Sequence, residues 1–288
     1  VGSNAGAANT TGGELVAVGR NALQANTTGT ANTAVGMRAL DANTTAGYNT
    51  AVGGYALGAN TTGERNTAIG YSALVRNTTG GYNSATGMYA LQYNTTGANN
   101  VASGYYSLAS NTTGGDNTAS GYDSLGDNTT GSFNAGFGYE ALARNTTASN
   151  NTAMGYRALK VNTEGAYNSA FGHDALDANT TGSFNTATGR ATLGTNTTGQ
   201  FNSASGYVSL LNNTTGQKNT GSGAYTGANL TTGIENTFIG YNAGGTRTTG
   251  SNNVCIGYNA GHDGTSSSDL LFIARNNTGP SNAATWIF

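Results

Sequence analysis

Along the chain, apolar and polar positions recur with a period of 17 residues. Asn-Thr-Thr begins at Asn9, Asn26, Asn43, Asn60, Asn77, Asn94, Asn111, Asn128, Asn145, Asn179, Asn196 and Asn213, always 17 residues or a multiple of 17 apart. Asn162-Thr163-Glu164 keeps the phase, and Leu230-Thr231-Thr232-Gly233 and Arg247-Thr248-Thr249-Gly250 continue it. The unit reads N-T-T-G-x-x-N-T-A-x-G-Y-x-A-L-x-x, with its fixed glycine at Gly19, Gly36, Gly53, Gly70 and onward to Gly257. Even the opening Val1-Gly2-Ser3-Asn4-Ala5-Gly6 is in phase with Ile239-Gly240-Tyr241-Asn242-Ala243-Gly244. A fixed period of this kind marks a repeat architecture.

Seventeen residues are too few for a paired-helix repeat, and Gly and Thr are poor helix formers. Each unit holds two strand-like pieces, Asn-Thr-Ala-Val and Tyr-x-Ala-Leu, separated by the glycine and closed by an Asn-Thr-Thr-Gly corner with turn chemistry. One unit then makes one turn of a coil. The sequence thus predicts an all-β fold, a parallel β-solenoid of about fifteen turns, long and thin, about 70 Å at the strand spacing.

Two places before the glycine stands a nearly invariant alanine: Ala17, Ala34, Ala51, Ala68, Ala85, Ala102, Ala119, Ala153, Ala170, Ala187 and Ala204. This reads as an inward slot too narrow for a larger side chain. Leu23, Leu40, Leu57 and onward to Leu210 supply the one large apolar group per turn. Burying it yields about 1.5–3 kcal/mol, whereas ordering each residue of the turn costs on the order of 1–2 kcal/mol. No turn stands by itself. The balance must come from turn-to-turn hydrogen bonds, from amide ladders of paired asparagines such as Asn26 and Asn32, and from association between copies.

The residue just before the glycine points the opposite way from the alanine. It runs Val18, Val35, Val52, Ile69, then Thr86, Ser103, Ser120, then Phe137, Met154, Phe171, then Thr188, Ser205, Ser222, and finally Ile239 and Ile256. This alternation of apolar and hydroxyl bands suggests a column facing an axis shared by several chains. The competing reading is a solvent face on a monomeric coil.

Composition narrows the function classes. The chain has 46 Gly, one Pro and 8% charged residues, and a formal net charge of −2 with 11 Lys and Arg, so it carries no electrostatic footprint for nucleic acid or an anionic membrane surface. Its longest apolar run near the C-terminus, Leu270 to Ala274, is far short of the about twenty residues of a spanning helix. The chain starts at Val1 inside a repeat without a basic-then-apolar leader, as expected of a processed chain or a piece of a longer one. One cysteine, Cys255, in the narrow alanine slot, and two histidines exclude a disulfide framework and a zinc cluster. His173 and His262 lie about five turns apart, roughly 25 Å at the strand spacing. Charged residues such as Glu64, Arg65, Asp116, Lys160 and Lys218 fall on variable places as a solvated outer face, and no acidic residue recurs as in calcium-binding β-rolls. No enzyme and no cofactor is expected.

Aromatic residues form two sets. Tyr71, Tyr105, Tyr122, Tyr139, Tyr156, Tyr207, Tyr241 and Tyr258 follow the glycine and read as a stacking ladder. Tyr48, Tyr82, Phe133, Tyr167, Phe184 and Phe201 precede the second asparagine, where exposed rings are candidates for holding sugar faces. The Asn-Thr-Thr corners match the N-glycosylation pattern but are explained by turn chemistry alone. Regular threonines also invite an ice-binding reading, which the lack of an alternating Thr-x-Thr row disfavours.

Units such as Asn66-Thr67-Ala68-Ile69-Gly70-Tyr71-Ser72-Ala73-Leu74 followed by Asn77-Thr78-Thr79-Gly80 resemble the repeats of bacteriophage tail fibres, and are similar to the head repeats of trimeric autotransporter adhesins. The resemblance covers residues 1 to about 261. Ser268–Arg275 and the end at Trp286-Ile287-Phe288 further resemble the segment that closes such regions, which in some tail fibres precedes a cleaved chaperone domain. The resemblance implies a homotrimer of left-handed parallel β-rolls, on a virion or at a cell surface, that binds a host polysaccharide or protein receptor. We therefore expect a repeat shaft over 1–261 and a cap or junction over 262–288, where Leu271, Phe272, Ile273, Trp286, Ile287 and Phe288 gather. The glycine-rich turns from Gly221 to Gly245 lose the leucine and are expected to narrow or bend the coil. A self-assembling extracellular filament or a bacterial surface adhesin is the alternative.

Overall fold

The computed structural model describes residues 1–261, 266–273 and 275. It is an all-β parallel solenoid of about fifteen turns, with sixteen three-residue strands among the described residues, each 17 residues after the last. The chain divides into two compact units, Val1–Ser149 and Asn150–Phe288. The first holds β1 (Val16–Val18) through β8 (Ala135–Phe137), the second β9 (Thr152–Met154) through β16 (Leu271–Ile273). Within each unit consecutive strands pair parallel with every residue opposite its equivalent, as in Thr33↔Thr50, Ala34↔Ala51 and Val35↔Val52. Val254, Cys255 and Ile256 face Leu271, Phe272 and Ile273 in the same way. Leu271–Ile273, expected in a cap, thus form a further rung beyond residue 261. Trp286, Ile287 and Phe288 lie outside the described residues.

Only the first of the two predicted strand pieces is a strand. The Tyr-x-Ala-Leu piece is a turn in which two of four residues take left-handed backbone, for example Arg38 (φ 56°) and Leu40 (φ 51°). Local bonds such as Ala39 N–H to Gly36 O (3.3 Å) close it. The residue before the second asparagine is left-handed as well, even where it is Tyr48 (φ 62°) or Phe184 (φ 60°), and Val208 (φ 60°) is a β-branched example of the Arg38 position. Such conformations are costly for L-residues. They persist because the backbone they create still bonds to the neighbouring turns, as Leu40 N–H does to Ala56 O of the next (3.0 Å) and Ala31 N–H to Gly13 O of the one before (3.0 Å).

The fixed glycine is required twice over. Its φ lies between 117° and 143° from Gly19 to Gly257, a region closed to side chains. A Cβ on Gly70 would also stand 2.5 Å from the carbonyl oxygen of Gly87 in the next turn.

The interior of a turn consists of two amides, two methyls and one leucine: Asn26, Asn32, Ala34, Ala39 and Leu40 are all fully buried. Both asparagine columns are hydrogen-bonded ladders. In the first, each Nδ2 donates to Oδ1 of the preceding rung, from Asn26 to Asn9 up to Asn145 to Asn128 in the first unit, at 2.7–3.1 Å. The same Nδ2 also donates to the carbonyl three residues on, as Asn60 does to Gly63 O (2.9 Å). In the second, the backbone N–H of Asn49 donates to Asn32 Oδ1 (2.9 Å), and Asn49 Nδ2 donates to that same Gly63 O (3.0 Å). Each corner carbonyl therefore ties the two ladders together. A third column runs outside them, where Thr27 Oγ1 donates to Thr44 O (3.1 Å) and Thr44 Oγ1 to Thr61 O (3.3 Å).

Near the end of the second unit the interior is rebuilt. Gly227, Gly244 and Gly261 replace the leucine while keeping its left-handed backbone, and Phe238 stands where the alanine would be, fully buried. A Cβ on Gly227 or on Gly244 would meet the Phe238 ring at 2.5 Å. The expected narrowing therefore gives way to a filled interior: one ring supplies the volume that two leucines leave. The alanine slot is narrow only because leucine closes it.

The first ladder stops at Asn213, whose buried Oδ1 has no partner because Leu230 follows it in phase. Replacing one rung elsewhere should be costly for the same reason. Asn111→Ala removes donors to Asn94 Oδ1 (2.7 Å) and Gly114 O (2.9 Å) and the acceptor of Asn128 (2.8 Å). It should destabilise by about 2–4 kcal/mol in denaturant unfolding, against about 0.5 kcal/mol or less for Ser110→Ala.

Candidate functional site

With backbone and amides turned inward, whatever the molecule presents to others lies on its outer columns. The residue before the glycine does point away from the alanine: Ala34, Ala51 and Ala68 are fully buried, while Val35, Val52 and Ile69 are exposed. In the first unit Val18, Val35, Val52 and Ile69 sit side by side on paired strands, an unbroken aliphatic ribbon. It gives way to Thr86, Ser103 and Ser120 and ends at half-buried Phe137. In the second unit Met154 and Phe171 pair side by side and are exposed, with Thr188, Ser205 and Ser222 next. Ile239, Ile256 and Ile273 then form a second aliphatic ribbon.

The tyrosines after the glycine do stack. Tyr122 and Tyr139 lie nearly parallel at 5.1 Å, Tyr105 and Tyr122 at 5.7 Å, and Tyr241 and Tyr258 at 5.3 Å. The sequence reading missed a second set one place further on, Tyr55, Tyr89, Tyr106 and Tyr225, which interleaves with the first. Tyr89 packs edge-on against Tyr71 (5.9 Å) and stacks on Tyr106 (5.1 Å), and Tyr105 meets Tyr106 edge-on at 4.4 Å. The hydrogen bond between Tyr106 and Tyr105 holds the Tyr106 hydroxyl above its ordinary pKa. Each member of the missed set occupies a variable place, so no period betrays it.

The candidate sugar-binding rings divide. Tyr167, Phe184 and Phe201 form a parallel stack with centroids 5.0 and 4.9 Å apart and planes within 2°. Stacking covers the ring faces between them, while all three rings remain exposed. Tyr48 and Tyr82 flank Arg65, whose guanidinium lies 5.6 and 5.3 Å from their centroids and donates to Tyr82 Oη at 2.7 Å. Phe133 is among the most exposed rings of the chain.

Charged groups, scattered in sequence, converge at one place in the second unit. Arg157 Nη2 donates to Asp177 Oδ2 (2.8 Å), and its Nε lies 3.7 Å from Asp174 Oδ1. Asp174 Oδ2 lies 2.9 Å from His173 Nδ1, and the His173 ring stacks on Tyr156 at 4.8 Å. Other pairs bridge adjacent turns, as Arg144 with Asp127 (2.7 Å) and Lys218 with Glu235 (2.9 Å). His262 lies outside the described residues. Among those described, no group of three or more His, Cys, Asp or Glu could hold a metal ion, and no helix is long and apolar enough to cross a membrane.

The glycosylation-like corners place their asparagines inside: Asn26 through Asn213 are fully buried with their amide nitrogens engaged, which favours the turn-chemistry reading. No family model matches this chain, and no curated protein and no solved structure matches it either.

Cys255 faces Phe238 and Phe272 across its strand and is fully buried. Burial pushes its thiol up, with Arg247 acting in the opposite direction. A disulfide reagent such as Ellman's should therefore label the native chain at neutral pH at least about a hundredfold more slowly than the denaturant-unfolded chain. Equal rates would show that the last turns are open.

Proposed function

We propose that this chain is the repeat region of an extracellular fibre or adhesin, of the kind found in phage tail fibres, which works as a homotrimer and serves attachment to a host surface. The observation that carries the reading is the outward aliphatic ribbon of Val18, Val35, Val52 and Ile69. Strand pairing within the chain leaves it exposed, and exposed contiguous apolar surface marks an interaction site. Parallel copies packed about an axis would bury it, because identical ribbons meet at identical heights. The second ribbon, Ile239 and Ile256 with Ile273, would do the same in its unit. On this reading the chain acts by displaying surface, not by catalysis, at a virion or cell exterior. Its partners are its own copies and a host polysaccharide or protein receptor. The exposed rings of Tyr167, Phe184 and Phe201 are the part of that surface suited to saccharide.

Sedimentation equilibrium should give three times the chain mass of 28.8 kDa. Val52→Asp with Ile69→Asp should yield monomers that keep their β-sheet circular dichroism. A wild-type monomer would end the trimer reading. Attachment is tested separately: Tyr167→Ala, Phe184→Ala and Phe201→Ala combined should lower binding to host cells at least about tenfold while leaving the trimer intact. Unchanged binding would remove these rings from the receptor surface. Electron microscopy distinguishes the alternative, since single fibres on a tail fit the proposal and copies joined end to end fit a filament.

A further inference from the structure

Between Asp41 and Asp116 the chain holds one acidic residue, Glu64, and two basic ones, Arg65 and Arg76. Both arginines are exposed, and both are held by tyrosines of adjacent turns. Arg65 lies between Tyr48 and Tyr82, its guanidinium carbon 5.6 and 5.3 Å from the ring centroids, and its Nη1 donates to Tyr82 Oη (2.7 Å). Arg76 lies 4.7 Å from the centroid of Tyr93. Tyr48, Arg65 and Tyr82 share one left-handed backbone conformation (φ 62°, 58° and 60°), so their side chains leave successive rungs in the same direction.

Other arginines answer to acids: Arg38 to Asp41, Arg144 to Asp127, and Arg157 to Asp174 and Asp177. Neither Arg65 nor Arg76 has such a partner among the described residues, and the turns on both sides of them are described throughout. Glu64, next to Arg65 in the chain, is exposed and forms no ion pair with it. A guanidinium that is held in place but lacks a carboxylate is suited to receive one. Its planar fork matches the two oxygens, and the rings already restrict its rotamers. The tyrosines add an apolar body and a polar hydroxyl at the same exposed place, the mixture that a saccharide presents in return.

We propose that Arg65 and Arg76, each held by its tyrosines, bind an acidic polysaccharide of uronic-acid type, each guanidinium pairing with a sugar carboxylate. This inference rests on the reading of the chain as a surface-binding fibre and names the class of saccharide. A discrete carboxylate fits better than a densely sulfated polymer. With a net charge of −2 and Glu64 beside Arg65, the chain provides two fixed contacts and no broad positive field. Affinity per chain is accordingly modest, and parallel copies would multiply it.

The test uses the full chain with oligogalacturonate, alginate and hyaluronate, and with methyl-esterified oligogalacturonate as a neutral ligand of the same sugar. Titration calorimetry should show at least one acid form bound, and oligogalacturonate at least about tenfold more tightly than its ester. Arg65→Gln with Arg76→Gln, folded as judged by circular dichroism, should lose that difference. Arg65→Lys should also weaken binding, since an ammonium keeps the charge without the fork. Equal binding of acid and ester, or no binding of any acid form, would overturn the proposal without recourse to a variant. Unchanged binding by the double variant, or tighter binding of dextran sulfate, would overturn it as well. Trimer mass and cell attachment through the Tyr167 stack are separate measurements, so failure here is told apart from failure of the fibre reading.

Discussion

Everything in this molecule depends on register: the amide of one turn must land on the amide of the next. A buried asparagine side chain left unpaired is expensive, and each turn buries two. The cost vanishes only when the rung below offers an oxygen and the rung above a nitrogen at the same height. That condition fixes the repeat length, because one inserted residue would displace the corner carbonyl that accepts from both ladders at once. The leucine and alanines then fill the little space left between the two amide columns. Apolar burial thus follows the hydrogen-bond frame instead of dictating it, the reverse of an ordinary globular core.

Much of this was legible in the sequence because a periodic fold writes its constraints repeatedly. The invariant alanine announced an inward slot, the neighbouring Val and Ile an outward one, and paired asparagines a stacked ladder. What stayed hidden was conformational. Tyr-x-Ala-Leu looks like a strand by its alternation, yet Leu40 and Arg38 adopt left-handed backbone that no side-chain pattern reveals. The exchange of two leucines for Phe238 was equally concealed, since it balances volume between different columns of different turns. On the surface, Arg157, His173, Asp174 and Asp177 occupy variable places of two adjacent turns and meet only when the coil is wound. Arg247 was visible as an in-phase departure from Asn, but its full burial could be seen only in three dimensions.

The proposed attachment function draws on a division of labour within each turn. Inward residues answer to their equivalents above and below, whereas outward residues answer to solvent and partners. Aliphatic ribbons, hydroxyl bands, tyrosine ladders and the charged cluster all ride on the same backbone. The trimer proposal concerns only the first of these, and the receptor proposal only the rings. Either can fail without touching the account of how the chain folds.

The left-handed residue before the second asparagine carries a further consequence. It is Tyr, Arg, Asn, Asp, Phe, Lys, Glu or Ala in different turns, always with the same backbone and none buried. The ladder bonds its peptide group whatever the side chain, so the side chain can change without disturbing the interior. In the regular turns these positions can therefore diversify while the interior asparagines, alanines and leucine stay the same. The outer surface can thus change from turn to turn without a new fold.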